Sequence, residues 1–500
     1  MTMFLFTWIK KWICSFEKVL ICIVFLIFLL TFFYNIQYIL ATDNNVVSAL
    51  IIFSSTITVL VILVRLTDDN VVSKKMYMIF LIAVSFLLRY IWVSIIKTEP
   101  VSDFEVLYKS AKDISEGNFL LVQQNGYFTA WPYQLGYVTF QALIIKLFGC
   151  GLYAIKLVNV IVSVATCVLI YIISSKIFNE NVGRISGLFY AFFISSIYMC
   201  SVLTNQILAT FLFYMALFHV VSYRKKYSFL IIGIYLGLGN IIRPEGPIVW
   251  IGICIFMMFW YNSESTDVCL SKCKLSLSKI AYIVYERGKV LAGTLIIFFV
   301  VIKLFDFFII NIGISSYPLS NRTPLWKYVV GLNYESIGRY NDKDHNYLSQ
   351  FSIGRELDRE SKKLIMERLQ DKKSLGLLFF KKQKEMWGGL DETIRAFVMP
   401  GTILKTDIVE VLELFEKYFY TFIILSIVGT LIYFLKDNYT NKSYLLFLIQ
   451  MQCFFSIHWI IEIQTRYRYS IVPSFFIISG LGIYRFLEFI KKRYFFYLCK

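Results

Sequence analysis

The sequence predicts an all-α polytopic membrane protein of about 12 transmembrane helices, with surface helices on its outer face and a mixed extracytoplasmic loop domain. Three observations lead there. Hydrophobic residues make up 58% of the 500 positions and charged residues 17%, whereas soluble domains carry about 25% charged residues. Apolar runs of spanning length recur along the chain. Basic residues gather in alternate loops.

The apolar runs cover residues 19–41, 46–65, 76–96, 153–177, 183–201, 204–222, 228–242, 247–261, 290–312, 418–436, 444–461 and 470–487. A membrane-crossing helix needs about 20 such residues. The pair at 228–261 is short and is broken by Pro244 and Pro247. The first run is long enough to span, so it reads as a helix rather than a cleavable signal.

Lys10, Lys11 and Lys18 precede the first run and place the N-terminus inside. The next loop, "TDNN", then falls outside. "RLTDDNVVSKK", "SYRKKY", the basic loop 262–289, "KDNYTNK" and the C-terminal "KKRYFFYLCK" all fall inside. The expected location is a cell membrane, multi-pass, with both termini cytoplasmic. The net charge of +17 then belongs to cytoplasmic loops, not to a nucleic-acid surface.

The chain divides accordingly into a transmembrane region at 1–312, a loop domain at 313–417 and a C-terminal transmembrane region at 418–500. The first large outer loop is 98–152. In it, Asp103 to Gly117 reads as a helix that Asp103 could cap and Gly117 could end. The stretch 131–149, "WPYQLGYVTFQALIIKLFG", has Pro132 near its start and carries Gln134, Gln141 and Lys146. It is expected to lie in the outer interface, because a true span there would invert every basic loop that follows. In 313–417, "SIGRELDRESKKLIMERLQ" has helical spacing, and "LGLLFFKKQKEMWGGL" reads as an amphipathic surface helix. A structureless loop of that length would be unusual.

Several chemistries lack their motifs. No Walker motif, no soluble G-x-G-x-x-G unit and no H-E-x-x-H is present. "GIYLGLGN" (233–240) sits inside an apolar run, where small residues signal close helix packing. His219, His345 and His458 are dispersed. Cys22, Cys167, Cys200 and Cys254 lie in apolar runs, and Cys269 and Cys273 have no second pair at zinc spacing. No disulfide framework, metal site or cofactor is predicted. If the chain transfers a sugar, it has no nucleotide-sugar domain, and its donor would have to come from the membrane.

An outer Asp after a span, a helix ending in "EGNF", a surface helix ending in "KLFG" and then "AIKLVNVIVSVATCVLIYIISSKIF" resemble polytopic glycosyltransferases of the GT-C fold. Within that group the chain is similar to family 39, which holds protein O-mannosyltransferases and the related lipid A aminoarabinose transferase. "EIQTRYRYSIVPSF" (462–475) resembles the end of that family. The resemblance covers most of residues 76–487. It implies a polyprenyl-phosphate sugar donor, an extracytoplasmic glycan, lipid or protein acceptor, and a catalytic acid that maps onto Asp103. Relatives often have Asp-Glu there. This chain has Phe104 next, with Glu105 one step later.

The chemistry expected of such a site is direct. A carboxylate takes the proton of an acceptor hydroxyl, and Arg or Lys stabilises the leaving phosphate. Asp103 and Glu105 are the candidate acids, and the two could also hold a divalent ion. Arg89, Arg243, Arg466 and Arg468 are candidates for the phosphate, and Glu245 and Glu462 for the acceptor or sugar. Gln206 occupies an outer turn where relatives often carry an acid. Lys303 and Asp306, three apart on a helix, are expected to pair. The competing readings are a flippase for lipid-linked saccharides, which would place charges near the midplane, and a polysaccharide polymerase.

Overall fold

The computed structural model describes residues 2–42, 44–149, 151–222, 227–260, 277–400, 402, 404–437 and 439–498. Most of the basic loop 262–289, with Cys269 and Cys273, lies outside the described residues, as does the middle of "SYRKKY". Among the described residues the fold is all α, without strands.

Among the described residues, seven segments are long and apolar enough to cross a bilayer. They are Ser15–Leu40 within α1 (Thr2–Leu40), α2 (Val46–Leu66), α3 (Lys74–Ile95), α8 (Gly151–Ile177), Val284–Asn311 within α14 (Leu277–Asn311), α19 (Thr406–Lys436), and Val472–Arg493 within α21 (Val472–Leu498). An eighth is bent by 60° between α9 (Glu180–Ala191) and the segment Ile194–Ser201, which opens with α10 (Ile194–Tyr198). Four shorter apolar helices complete the set: α11 (Gln206–Val221), α12 (Ser228–Ile242), α13 (Gly246–Phe259) and α20 (Tyr444–Ile460). These are the twelve runs read from the sequence.

The glycines of "GIYLGLGN" set one tight contact. A Cβ at Gly233 would lie 2.7 Å from the Ile297 Cβ, and one at Gly237 2.7 Å from the Val301 Cβ, both on α14. Lys303 and Asp306 pair at 3.0 Å.

The remaining helices lie beyond the ends of the spans. They are α4 (Asp103–Glu116), α5 (Phe119–Gln123), α6 (Gly126–Ala130), α7 (Leu135–Phe148), α15 (Trp326–Gly331), α16 (Asp342–Leu348), α17 (Arg355–Gln370) and α18 (Lys372–Trp387). Helix α7 has 14 residues and is about 21 Å long. It packs beside α4 and α8. One side of α18 is not on an open surface: Trp387 packs on Phe455 at 4.4 Å, and Gln383 bonds Thr31 of α1 at 2.9 Å. Leu377 and Phe380 remain exposed. Helices α15 to α17 share a small core of Val329, Leu348 and Leu357, and Arg368 of α17 closes it through Asp344 at 2.7 Å.

Candidate active site

Asp103 opens α4 just past the end of α3. The helix is held by Phe104, Leu107 and Ala111, buried at the spacing of one helical face. Gly117 ends it with φ +86°, the left-handed stop that glycine suits. Asp103 is the first helical residue and not the cap. Ser102 holds the cap position at φ 55°, ψ −135°, without a side-chain cap bond.

This leaves the Asp103 side chain half-exposed, with a carboxylate oxygen 4.0 Å from Nη2 of Arg466. Glu105 turns elsewhere and pairs with Lys109 at 2.6 Å. Two residues apart on a helix do not face one another, so the pair does not make a shared metal site. No group of three His, Cys, Asp or Glu residues suited to a metal occurs among the described residues.

Arg466 lies in a 3-10 turn, Thr465–Ser470. Its Nε donates to Gln464 Oε1 at 2.6 Å, and its carbonyl accepts from Gln206 Nε2 at 2.6 Å. The guanidinium stacks between Phe104 and Phe397, 4.9 and 4.8 Å from their centroids. Such stacking favours a flat cation that keeps an edge free for an anion.

Tyr467 gathers the other charges. Arg243, Lys327 and Arg466 stand 5.1, 5.6 and 5.7 Å from its ring centre. Arg243 bonds Glu245, and reaches Asn205 Oδ1 at 3.0 Å. Glu462 is buried, accepts from Gln464 at 2.9 Å, and its backbone N–H donates to the Lys327 carbonyl at 2.8 Å. The second oxygen of Glu245 is buried without a hydrogen-bond partner. Burial and the nearby Arg243 push the Lys327 ammonium down. Burial, with Asp103 beside it, pushes the Tyr127 hydroxyl up. Burial likewise raises Tyr133, against the pull of Arg243. Both phenols therefore stay protonated and able to donate to an oxyanion.

Asp103, Arg243, Glu245, Glu462 and Arg466 thus come together. Arg89 does not join them. It is fully buried among α3, α8 and α9, donating to Ser163 and Ser196 at 2.7 Å and to the carbonyls of Ser85 and Ala191 at 3.1 and 3.2 Å. These bonds engage Nε and both terminal nitrogens, so Arg89 is a tie between helices rather than a phosphate ligand. Arg468 points to a second cluster, with Nη2 3.8 Å from Asp391 and the guanidinium 4.9 Å from the Tyr420 ring centre.

Lys327, Tyr127 and Tyr133 were not among the residues picked from the sequence. Lys327 sits in "TPLWKYVV", where no periodicity marks it. Its only signal was a basic residue in a region expected outside.

Residues 135–285 match the family model described as dolichyl-phosphate-mannose-protein mannosyltransferase. The resemblance read from the sequence is met over that stretch, which contains Arg243 and Glu245 but neither Asp103 nor the Arg466 turn. The archaeal oligosaccharyltransferase AglB from Archaeoglobus fulgidus, in complex with an inhibitory peptide and a dolichol-phosphate, is similar in structure. Its identity is 14% and its TM-score 0.46, over 82% of this chain and 51% of that one. The Archaeoglobus fulgidus oligosaccharyltransferase with zinc and sulfate gives 13% and 0.44, over 85% and 50%. Its apo form gives 14% and 0.44, over 82% and 51%. The chain spans about half the length of these proteins. No curated protein matches it.

Proposed function

We propose that this multi-pass membrane protein is a glycosyltransferase, moving a sugar from a polyprenyl-phosphate donor to an acceptor on the extracytoplasmic side. One observation carries the reading: a half-exposed carboxylate, Asp103, faces a stacked arginine, Arg466, that Arg243 and Lys327 back with further positive charge. The family match over 135–285 supports the same reaction class.

In the proposed step Asp103 accepts the proton of the acceptor hydroxyl. The hydroxyl oxygen forms a bond to the anomeric carbon while the bond from that carbon to the phosphate oxygen breaks. The phosphate leaves with the electron pair, and Arg466 and Arg243 stabilise its added charge. One base and one displacement invert the anomeric centre. Tyr127 and Tyr133, protonated, are placed to donate to the sugar or phosphate. Glu245 and Glu462 hold the cations in position and offer acceptors to sugar hydroxyls.

The flippase reading asks for charges open to a central path, whereas the bonds of Arg89 hold it within the helix packing. A polymerase would use the same end of the bundle and differ in a donor that carries a chain. The test is to incubate purified protein in lipid nanodiscs with labelled polyprenyl-phosphate monosaccharides and a cell-envelope acceptor fraction. Label should move to the acceptor and free polyprenyl phosphate should appear. Donor left intact, or consumed equally by Asp103→Asn, would overturn the reading.

A further inference from the structure

Beside the candidate site lies a cavity of about 210 Å3 that the reaction above leaves unused. Three segments wall it: Ala130–Trp131, the turn Thr323–Trp326, and the α16–α17 hairpin. Arg322 ties the first two together. Its backbone N–H donates to the Ala130 carbonyl at 3.3 Å, and its Nη1 to the Thr129 carbonyl at 2.9 Å. The small core of Val329, Leu348 and Leu357 supports the third. The cavity is therefore built by packing and not left by a loose loop.

Its lining has two characters. Trp131, Trp326 and Phe351 give flat apolar walls. Ser361, Asp358 and His345 give polar atoms. Ser361 is only 2% exposed, yet its hydroxyl makes no hydrogen bond among the described residues. The Asp358 carboxylate and the His345 ring nitrogens likewise bond no described side chain, the imidazole only meeting the rings of Trp326 and Tyr340 at 5.9 and 5.8 Å. Asp358 is partly exposed and His345 exposed, so their polar atoms are open to a ligand, and beside the aromatic walls they fit one with hydroxyls at its edge and an apolar face.

The cavity also sits where an acceptor would approach. Trp131 is 4.9 Å, ring to ring, from Tyr127, whose hydroxyl senses Asp103. Trp326 precedes Lys327 of the cation cluster. The walls belong to the loop helices and not to the spans, so the entrance faces water and not lipid.

We propose that this cavity binds a pyranose ring, and that the acceptor is accordingly a glycan. A sugar ring stacks its C–H face on an indole and offers its hydroxyls to Asp358, Ser361 and His345. An acyl chain or an apolar peptide side chain would use none of the three. That the ring belongs to the acceptor rests on the transferase reading. The binding of a ring does not.

The test is saturation-transfer NMR on the full-length protein in detergent micelles. The probes are the methyl glycosides of glucose, galactose and N-acetylglucosamine, with N-acetyl-phenylalaninamide as the apolar peptide-like control. Saturation should reach at least one glycoside, strongest on the protons of one ring face. Asp358→Asn, which keeps the side chain's shape, should weaken it about tenfold, as one lost charge-assisted hydrogen bond does. Trp131→Ala and Ser361→Leu should abolish it, and an unchanged unfolding midpoint shows that each variant is folded. If Ser361→Leu unfolds, Asp358→Asn decides alone. No saturation of any glycoside overturns the proposal, as does saturation indifferent to all the variants, or binding of the phenylalanine amide alone. Donor consumption is followed in the same samples. Glycoside binding without it would sink the transferase reading only, and donor consumption without glycoside binding would sink the sugar pocket only.

Discussion

Arg466 holds its guanidinium edge 4.0 Å from the Asp103 carboxylate, although the two residues come from opposite ends of the sequence. At that distance they attract without forming a closed hydrogen bond. Each can turn to a ligand, the carboxylate to a hydroxyl and the guanidinium to a phosphate.

Asp103→Asn keeps the side-chain shape and removes the proton acceptor. Such half-exposed pairs contribute about 0–1 kcal/mol, so the variant should fold. Transfer should fall by about 10²–10⁴-fold. Glu105→Gln breaks only the exposed contact with Lys109 and should keep near-normal rates. Rate measurements at matched amounts of folded protein check both. The reverse result would move the base two residues along.

Arg466→Gln should raise the KM for the lipid donor at least about tenfold, equivalent to ~1.4 kcal/mol. Arg466→Lys should not rescue it, since an ammonium cannot stack flat between Phe104 and Phe397. Arg89→Gln should behave oppositely. It strands buried partners at about 1–3 kcal/mol each, lowering the unfolding midpoint while leaving the KM of the folded fraction unchanged. A KM effect in Arg89→Gln without loss of stability would return that residue to the phosphate.

Lys382 on α18 is almost fully buried and donates to the carbonyls of Gly331, Trp459 and Ile461 at 2.9, 3.0 and 2.6 Å. Burial pushes its ammonium down to about 7, from ~10.4 when exposed. Between those values the unfolded chain binds more protons than the folded one. This group's contribution to stability therefore rises as pH climbs through about 7 towards ~10. Lys382→Met should unfold at lower temperature and lose that part of the pH slope. Parallel melting curves of wild type and variant against pH would refute the assignment.

Single cysteines near Asp103 and near Asn341 should react with an impermeant thiol reagent on intact cells, and one near Lys75 should not. Labelling at 75 but not at 103 would reverse the orientation and remove the water-borne acceptor from the site.

The spans were legible because hydropathy and length alone define them, and the glycine contact of α12 followed from the same logic. The site was legible in part. Asp103 stood out through its position after a span, and Arg466 through the likeness of its motif. Their meeting depends on how α4 and the turn after α20 converge, which no local pattern encodes. Arg89 misled for a physical reason: a mid-span arginine signals a buried anion or a buried tie equally, and only its neighbours Ser163 and Ser196 decide. Lys327 was missed because charge in an irregular loop has no signature. Asp103 was read as a cap because Asp caps well, but the chain places Ser102 there.

Ser102 has a further consequence. A non-glycine residue at φ 55°, ψ −135° carries roughly 1–3 kcal/mol of strain. Glycine would relax it, yet a flexible hinge there would let the carboxylate wander. Ser102→Gly should therefore melt at higher temperature and turn over more slowly. The residue before the proposed base acts like a cocked spring, trading endurance for aim, and a search for thermostable variants of this chain would find Ser102→Gly early and reject it on rate.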